Sequence, residues 1–308
     1  MQNLDILKLL FYKNMNELDK QYKELLQNIL DNGEWSNNRT GIRTKYINGA
    51  MIKVDVSKNF PLITLRKMYL KGVAAELQMF INGITDKRKF QEAGCKFWNE
   101  WANPKKVPYG HDAETYEKMK AEPDLGKVYG FQWKNFNGDR NEDLTLKPNT
   151  GFDQLQYIID TIKKDPTSRR LVCSAWNPLQ MDEMSLTPCV YSWQVMCNPE
   201  TKVMDLCFIM RSVDCICGLG SDIASYALLL YLLCKETGYK PGRVIAQLMN
   251  CHIYENHMEG AKELLKRESF SLPTLEITNF KSIYDWTASD YSLNNYSHGE
   301  PIKFDIAV

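Results

Sequence analysis

Residues 223–238, IASYALLLYLLCKETG, are apolar nearly all round. A helix with one polar face can lie on a protein surface, whereas a helix that is hydrophobic on every side has to be buried. Its longest apolar run, YALLLYLLC, falls well short of the ~20 residues that a membrane span requires, so the rest of the chain must cover it. A charged residue, Asp222 in CGLGSDIASYALL (217–229), stands where this helix begins. Taken alone it is a helix cap, because an aspartate accepts hydrogen bonds from the free N–H groups of a first turn and its charge suits the positive helix end.

The elements around it are mixed. Leu4, Ile6, Leu7, Leu10, Tyr22, Leu25, Leu26, Ile29 and Leu30 recur at helical spacing over residues 1–32, and Gly33 ends the pattern. KYINGAMIKVDV (45–56) alternates as a strand does, LKGVAAELQMFING (70–83) reads as a helix closed by Gly83, and FDQLQYIIDTIKKDP (152–166) as an amphipathic helix stopped by Pro166. RRLVCSAWNP, CVYSWQVMCN and VMDLCFIMRS are β-branched or aromatic strand candidates. Strands and helices do not alternate strictly, which predicts a single α+β domain with a mainly mixed or antiparallel sheet flanked by helices. Residues 103–124, NPKKVPYGHDAETYEKMKAEPD, are polar and proline-punctuated; they read as an exposed insertion with a short helix and a poor place for chemistry.

Lys plus Arg and Asp plus Glu both number 38, so no net field draws in duplex nucleic acid or an anionic membrane. An anionic ligand must be held by a local arginine cluster. The nine cysteines include no C-x-x-C pair and sit mostly in apolar runs, as reduced buried thiols do. With no signal-peptide pattern at the N-terminus, the expectation is a cytoplasmic protein without a metal.

Several residues are suited to chemistry. Cys189 follows a proline in SLTPCVYSWQ, at a turn before a strand, and as a nucleophile it needs its pKa lowered by nearby positive charge. Arg169 and Arg170 in SRRL and Arg211 in MRSVD, where Ser212 and Asp214 follow, are candidates to provide that charge, and paired guanidiniums with a serine hydroxyl also suit a phosphate. His252 and Tyr254, two apart in NCHIYENH, share a strand face where both can bond a sugar. His252 and His257 are five apart with no third ligand in view, so a metal site is not expected. Trp98 and Trp101 in FWNEWANP fall on one helical side, as core packing or as a wall for a flat heterocycle.

The order of the motifs narrows these choices. NNRTGIRT, FPLITLRK, AAELQMFING, FWNEW, LGKVYGFQW, DPTSRRLVCSAWNP, LTPCV, MRSVDCICGLGSDIASYALL, CHIYENH and the terminal IKFDIAV resemble, in sequence, the blocks of the thymidylate synthase family. The likeness covers residues 20–308 and leaves outside it an N-terminal helical extension, 1–19, and the insertion at 103–124. It implies that Cys189 adds to C6 of a pyrimidine nucleotide, so that C5 attacks the methylene of 5,10-methylenetetrahydrofolate, the co-substrate. It further implies phosphate binding by Arg39, Arg211 and Ser212, and by Arg169 and Arg170 reaching across a homodimer. His252 and Tyr254 then hold the sugar 3′-hydroxyl, and Glu76 and Tyr129 organise water and proton transfer around C5. Asp214, Gly218, Trp98, Trp101 and the terminal Ala307 and Val308 form the folate-side wall and closing lid.

Three positions depart from that pattern. Asp222 stands where an asparagine reads uracil, Val190 replaces the histidine after the nucleophile, and Met210 replaces the glutamine before the phosphate arginine. An ionised aspartate offers acceptors only, which suits the 4-amino group and protonated N3 of a cytosine adduct and opposes the O4 of uracil. In this respect the chain resembles the deoxycytidylate hydroxymethylases of bacteriophages, which would place it in the cytoplasm of a host. The expected reaction is hydroxymethylation of dCMP, with dCMP methylation and dUMP methylation as alternatives, and a catalytically quiet nucleotide- or RNA-binding homologue as the reading from another class.

Overall fold

The computed structural model describes residues 15–305. Helix α1 (Glu17–Asn32) opens on Asn16, whose side chain accepts from the Asp19 N–H. Asp19 is itself buried and accepts from the Thr64 N–H at 3.1 Å and the Ser269 hydroxyl at 2.8 Å, so this first turn is bolted to two distant segments. The expected helical pattern before Met15 lies outside the described residues.

Strands β1 (Glu34–Ser36) and β2 (Thr44–Asp55) follow, then helices α2 (Leu70–Ile81), α3 (Lys87–Glu92), α4 (Ala113–Ala121), α5 (Tyr129–Asn135) and α6 (Gln154–Lys164). Three further strands, β3 (Val172–Ser174), β4 (Val190–Asn198) and β5 (Val203–Asp214), precede the long helix α7 (Leu219–Thr237). Strand β6 (Lys240–Tyr254), helix α8 (Met258–Lys266) and the hairpin of β7 (Thr274–Ile277) and β8 (Tyr291–Asn294) complete the order.

Six strands form one sheet in the order β1-β2-β6-β5-β4-β3, antiparallel throughout except for the parallel pair β5–β6. This is the α+β arrangement with a mixed sheet that the unordered alternation of strands and helices predicts. Helix α7 packs on β5 and β6, with α2 against it from the other side, and its residues from Ile223 to Leu230 are all buried. It ends at Gly238 in the left-handed conformation (φ 73°), where a residue without a Cβ closes a helix at no steric cost. The opposite face of the sheet is open: Met51 and Met249 keep 61% and 51% of their surface exposed, and Val172 and Met196 share that face by register.

Strand β6 is the longest in the sheet at 15 residues, yet its first half carries no alternation that marks a strand. Pro241 and Gly242 enter the ladder there, and the β5–β6 register slips between Met204 and Leu206 to take them in. Proline removes a ladder donor and glycine a side chain, so the strand signal is erased where the sheet irregularity begins. Among the described residues no helix is long and apolar enough to cross a membrane. All nine cysteines are free, five of them buried.

Candidate active site

The start of α7 settles the part of Asp222 that concerns capping. The helix begins at Leu219 and its N-cap is Gly218, with the N–H groups of Ser221 and Asp222 bonded back to the Gly218 carbonyl. Asp222 therefore lies inside the first turn, and no described residue donates a hydrogen bond to its carboxyl. The capping expectation is corrected: the aspartate sits one turn too far along the chain to serve the free N–H groups. Its Oδ2 turns back to within 3.5 Å of where a side chain on Gly218 would start, so glycine there leaves room beside the carboxyl.

That carboxyl faces a cavity of about 180 Å³ whose lining also includes Cys189, Glu76, Tyr129, Trp98 and Trp101. Glu76 comes from α2 and accepts from the Trp98 indole N–H at 2.7 Å. Tyr129 opens α5, stacks on Phe80 with ring centroids 4.9 Å apart, and accepts from the Cys189 N–H through its hydroxyl at 2.7 Å. Trp98 and Trp101 lie in a turn and not a helix, with the Trp101 N–H bonded to the Trp98 carbonyl at 3.1 Å. Both indoles still reach the same cavity.

Electrostatics mark the site. Burial pushes the Glu76 carboxyl up to about 7, against the weaker opposing pull of the Trp98 bond. Asp222 is raised well above the carboxylate range, first by burial and then by the Glu76 and Asp214 carboxylates. Two carboxyls driven up together keep their proton at a higher pH than free carboxylates do. For Cys189, burial outweighs the Arg211 guanidinium, and the thiol is raised. The expectation that nearby arginines lower this thiol is thus not met by the single chain: Arg211 alone is too little, and Arg169 and Arg170 are exposed and do not line the cavity.

A stability measurement checks the Glu76 shift. The folded state binds this proton more tightly than the unfolded chain, whose glutamate titrates near its ordinary 4.5. Stability therefore falls as pH rises from about 4.5 to about 7, by as much as ~3 kcal/mol from this group. Glu76→Gln removes that part of the slope in urea unfolding followed at several pH values; an unchanged slope contradicts the assignment.

The other predicted nucleotide residues do not line this cavity, but Arg211, Asp214 and Tyr254 lie within electrostatic reach of Cys189. Arg211 donates through Nε to the Pro188 carbonyl at 2.9 Å, and through Nη2 to the Thr187 carbonyl and hydroxyl, each at 2.8 Å. It clamps the turn that presents Cys189. Ser212 and Asp214 continue β5, where Asp214 stands opposite His252 in the parallel ladder. His252 and Tyr254 share a face as expected, ring centroids 5.2 Å apart. Val190 and Met210 are direct partners across β4 and β5, so two of the three departures form a single apolar contact. Ala307 and Val308 lie outside the described residues.

The insertion was a poor guide to its own importance. Arg39, on the loop after β1, lies over the rings of Tyr109 at 4.9 Å and Trp101 at 5.6 Å, and Tyr109 stacks on Trp101. His111 bonds the Arg39 carbonyl at 3.2 Å. Residues 103–124 thus carry one ring, Tyr109, that sits on the predicted phosphate arginine, and one histidine that bonds its carbonyl, so the exposed insertion packs against a predicted site residue. The Y-x-H spacing between prolines was the available signal. Lys87, also unremarked in the sequence, donates to the carbonyls of Trp101 at 2.9 Å and Met119 at 2.7 Å, tying the insertion to the indole wall.

A half-buried cysteine beside an arginine-clamped turn, two carboxyls of raised proton affinity and an indole wall meet at one cavity, and the profile of the family described as thymidylate synthase matches residues 20–308. The chain belongs to the thymidylate synthase family. It is 37% identical over 301 residues to the thymidylate synthase of Mycoplasma genitalium and 36% identical over 301 residues to that of Mycoplasma pneumoniae, covering 94% of this chain and 100% of each relative. It is also 34% identical over 303 residues to the bifunctional dihydrofolate reductase-thymidylate synthase of Paramecium tetraurelia, of which it spans 63%. The thymidylate synthase match begins within α1, three residues past its start at Glu17, and runs through every strand of the sheet.

Proposed function

We propose that the protein transfers a one-carbon unit from 5,10-methylenetetrahydrofolate to C5 of dCMP and releases 5-hydroxymethyl-dCMP. The observation that carries this reading is Asp222, a carboxyl facing the cavity beside Cys189 with its proton affinity raised and no hydrogen-bond donor from the described residues. A protonated carboxyl donates one hydrogen bond and accepts another. Neutral cytosine presents the matching pair, an acceptor at N3 and an amino donor at C4. The Cys189 thiol gives up its proton to solvent, and as its sulfur bonds to C6 the Asp222 proton passes to N3; the carboxylate left behind then accepts from both N3–H and the amino group. These charge-assisted bonds strengthen as the adduct forms, which is where they accelerate the reaction.

The co-substrate supplies the methylene that C5 attacks. Trp98 and Trp101 offer it flat apolar walls, Asp214 a polar anchor and Gly218 close backbone approach. After C5 loses its proton and the folate leaves, the exocyclic methylene is electrophilic. Water adds to it, and the C6–S bond breaks to free the product with tetrahydrofolate unoxidised. Glu76 is the proton carrier and Tyr129 the group that fixes the Cys189 backbone. Arg39, Arg211 and Ser212 take the phosphate, with Arg169 and Arg170 supplied by a second copy docked on the open sheet face. His252 and Tyr254 hold the sugar.

A second reading, methylation of dUMP, draws on the same raised Asp222. A protonated aspartate shows uracil the donor and acceptor that an asparagine amide would. Uracil, however, becomes an oxyanion at O4 once sulfur adds, and such charge needs fixed donors. Val190 and Met210 offer none. Comparing kcat/KM for dCMP and dUMP with methylenetetrahydrofolate decides between them: strong preference for dCMP is expected, and comparable turnover of dUMP overturns the first reading.

A further inference from the structure

We propose that Asp214, Cys217 and His257 form a binding site for a divalent cation of the zinc type, and that an ion held there competes with the folate. The three side chains come from separate places: the end of β5, the turn before α7 and the turn after β6. Their ligand atoms all lie within 4.8 Å of one another. A tetrahedral ion bonded at about 2.0–2.3 Å needs its ligands roughly 3.3–3.8 Å apart, so side-chain closure of about 1 Å completes the site and leaves a fourth position to water.

His257 supplies the independent observation. It is only 1% exposed, and its Nε2–H donates to the Asp305 carbonyl at 2.8 Å. In the neutral ring that bond leaves the lone pair on Nδ1, and among the described residues Nδ1 has no hydrogen-bond partner. A histidine whose one nitrogen is tied to a carbonyl while the other is buried and idle is the form in which imidazole binds metals. Asp214 is equally prepared: its Oδ1 accepts from the N–H groups of Ile216 and Cys217 at 2.9 and 3.0 Å, which orients the carboxylate and leaves Oδ2. One sulfur, one nitrogen and one oxygen suit zinc and disfavour magnesium and calcium, which take oxygen. Binding replaces the Cys217 S–H bond by an S–metal bond, and the proton leaves to solvent.

The ion site does not depend on which base the enzyme reads. The competition does rest on the assignment of Asp214 to the folate side, since an ion there takes the carboxylate away.

Cobalt(II) is the probe, added to the metal-free full-length protein without substrates. The expected result is one ion per chain with visible ligand-field bands and a thiolate-to-cobalt charge-transfer band, both displaced by zinc. Cys217→Ser, folded by circular dichroism, loses the charge-transfer band; His257→Asn weakens binding by more than the about 10–100-fold that outer-shell partners of a metal contribute. Folate with dCMP lowers the apparent cobalt affinity. The site is overturned by the lack of a charge-transfer band at saturating cobalt, or by a band that survives Cys217→Ser and disappears in Cys189→Ser. Binding as described without competition keeps the site and overturns the placing of Asp214 at the folate.

Discussion

Asp222→Asn reverses the base preference: kcat/KM for dCMP falls by about 10⁴-fold and dUMP becomes the better substrate. The amide has nearly the shape of the acid and keeps one donor and one acceptor, so the cavity and α7 survive the change. What it lacks is a proton to give. Cytosine then reaches the Cys189 adduct with negative charge on N3 unrelieved, while the fixed amide N–H now serves the O4 of uracil. The interaction lost exists in the adduct and hardly in the ground state, so the effect on dCMP falls on kcat more than on KM. Asp222→Ala separates proton supply from shape: it loses dCMP turnover without gaining dUMP. If Asp222→Asn keeps the wild-type ratio, the carboxyl does not read the base.

Cys189→Ala removes turnover of either nucleotide, by about 10⁴-fold or more in kcat, because no other group in the cavity can form the bond to C6. Nucleotide binding is expected to persist, since the arginine proposed to take the phosphate is held independently: Arg211 bonds the backbone of Pro188 and Thr187 and not the thiol. The two readouts together matter. Lost turnover with retained binding dismisses a quiet nucleotide-binding homologue, for which the cysteine would be indifferent. Retained turnover in Cys189→Ala contradicts covalent catalysis outright.

The buried helix was plain in the sequence because one-sided polarity is easy to see missing, and α7 has the apolar environment that IASYALLLYLLC demands. The alternation of residues 45–56 marks β2 for the same reason. What periodicity does not carry is any place where two segments must be brought together. The first half of β6 hides behind Pro241 and Gly242. Asp222 reads as a cap because nothing local reveals that the helix starts at Leu219. The packing of Tyr109 on Arg39, and of His257 beside Asp214 and Cys217, joins residues far apart along the chain.

The electrostatics were legible in kind and not in sign. The arginines around Cys189 suggested a lowered thiol, yet burial dominates within one chain. A site completed by Arg169 and Arg170 of a second copy, with the open face carrying Met51 and Met249 as the contact, would restore the missing positive charge. The raised carboxyls of Glu76 and Asp222 follow from geometry that no motif encodes: two acids from different helices meeting in one enclosed space.

The most direct test of the central claim is to give the enzyme dCMP and methylenetetrahydrofolate, follow absorbance for dihydrofolate, and weigh the nucleotide produced. Addition of the mass of formaldehyde with no dihydrofolate formed is the result expected of a cytosine-reading enzyme whose reaction is ended by water. A gain of only a methylene's mass as dihydrofolate appears would contradict hydroxymethylation, and no gain on dCMP beside ready methylation of dUMP would contradict the reading of Asp222 as well.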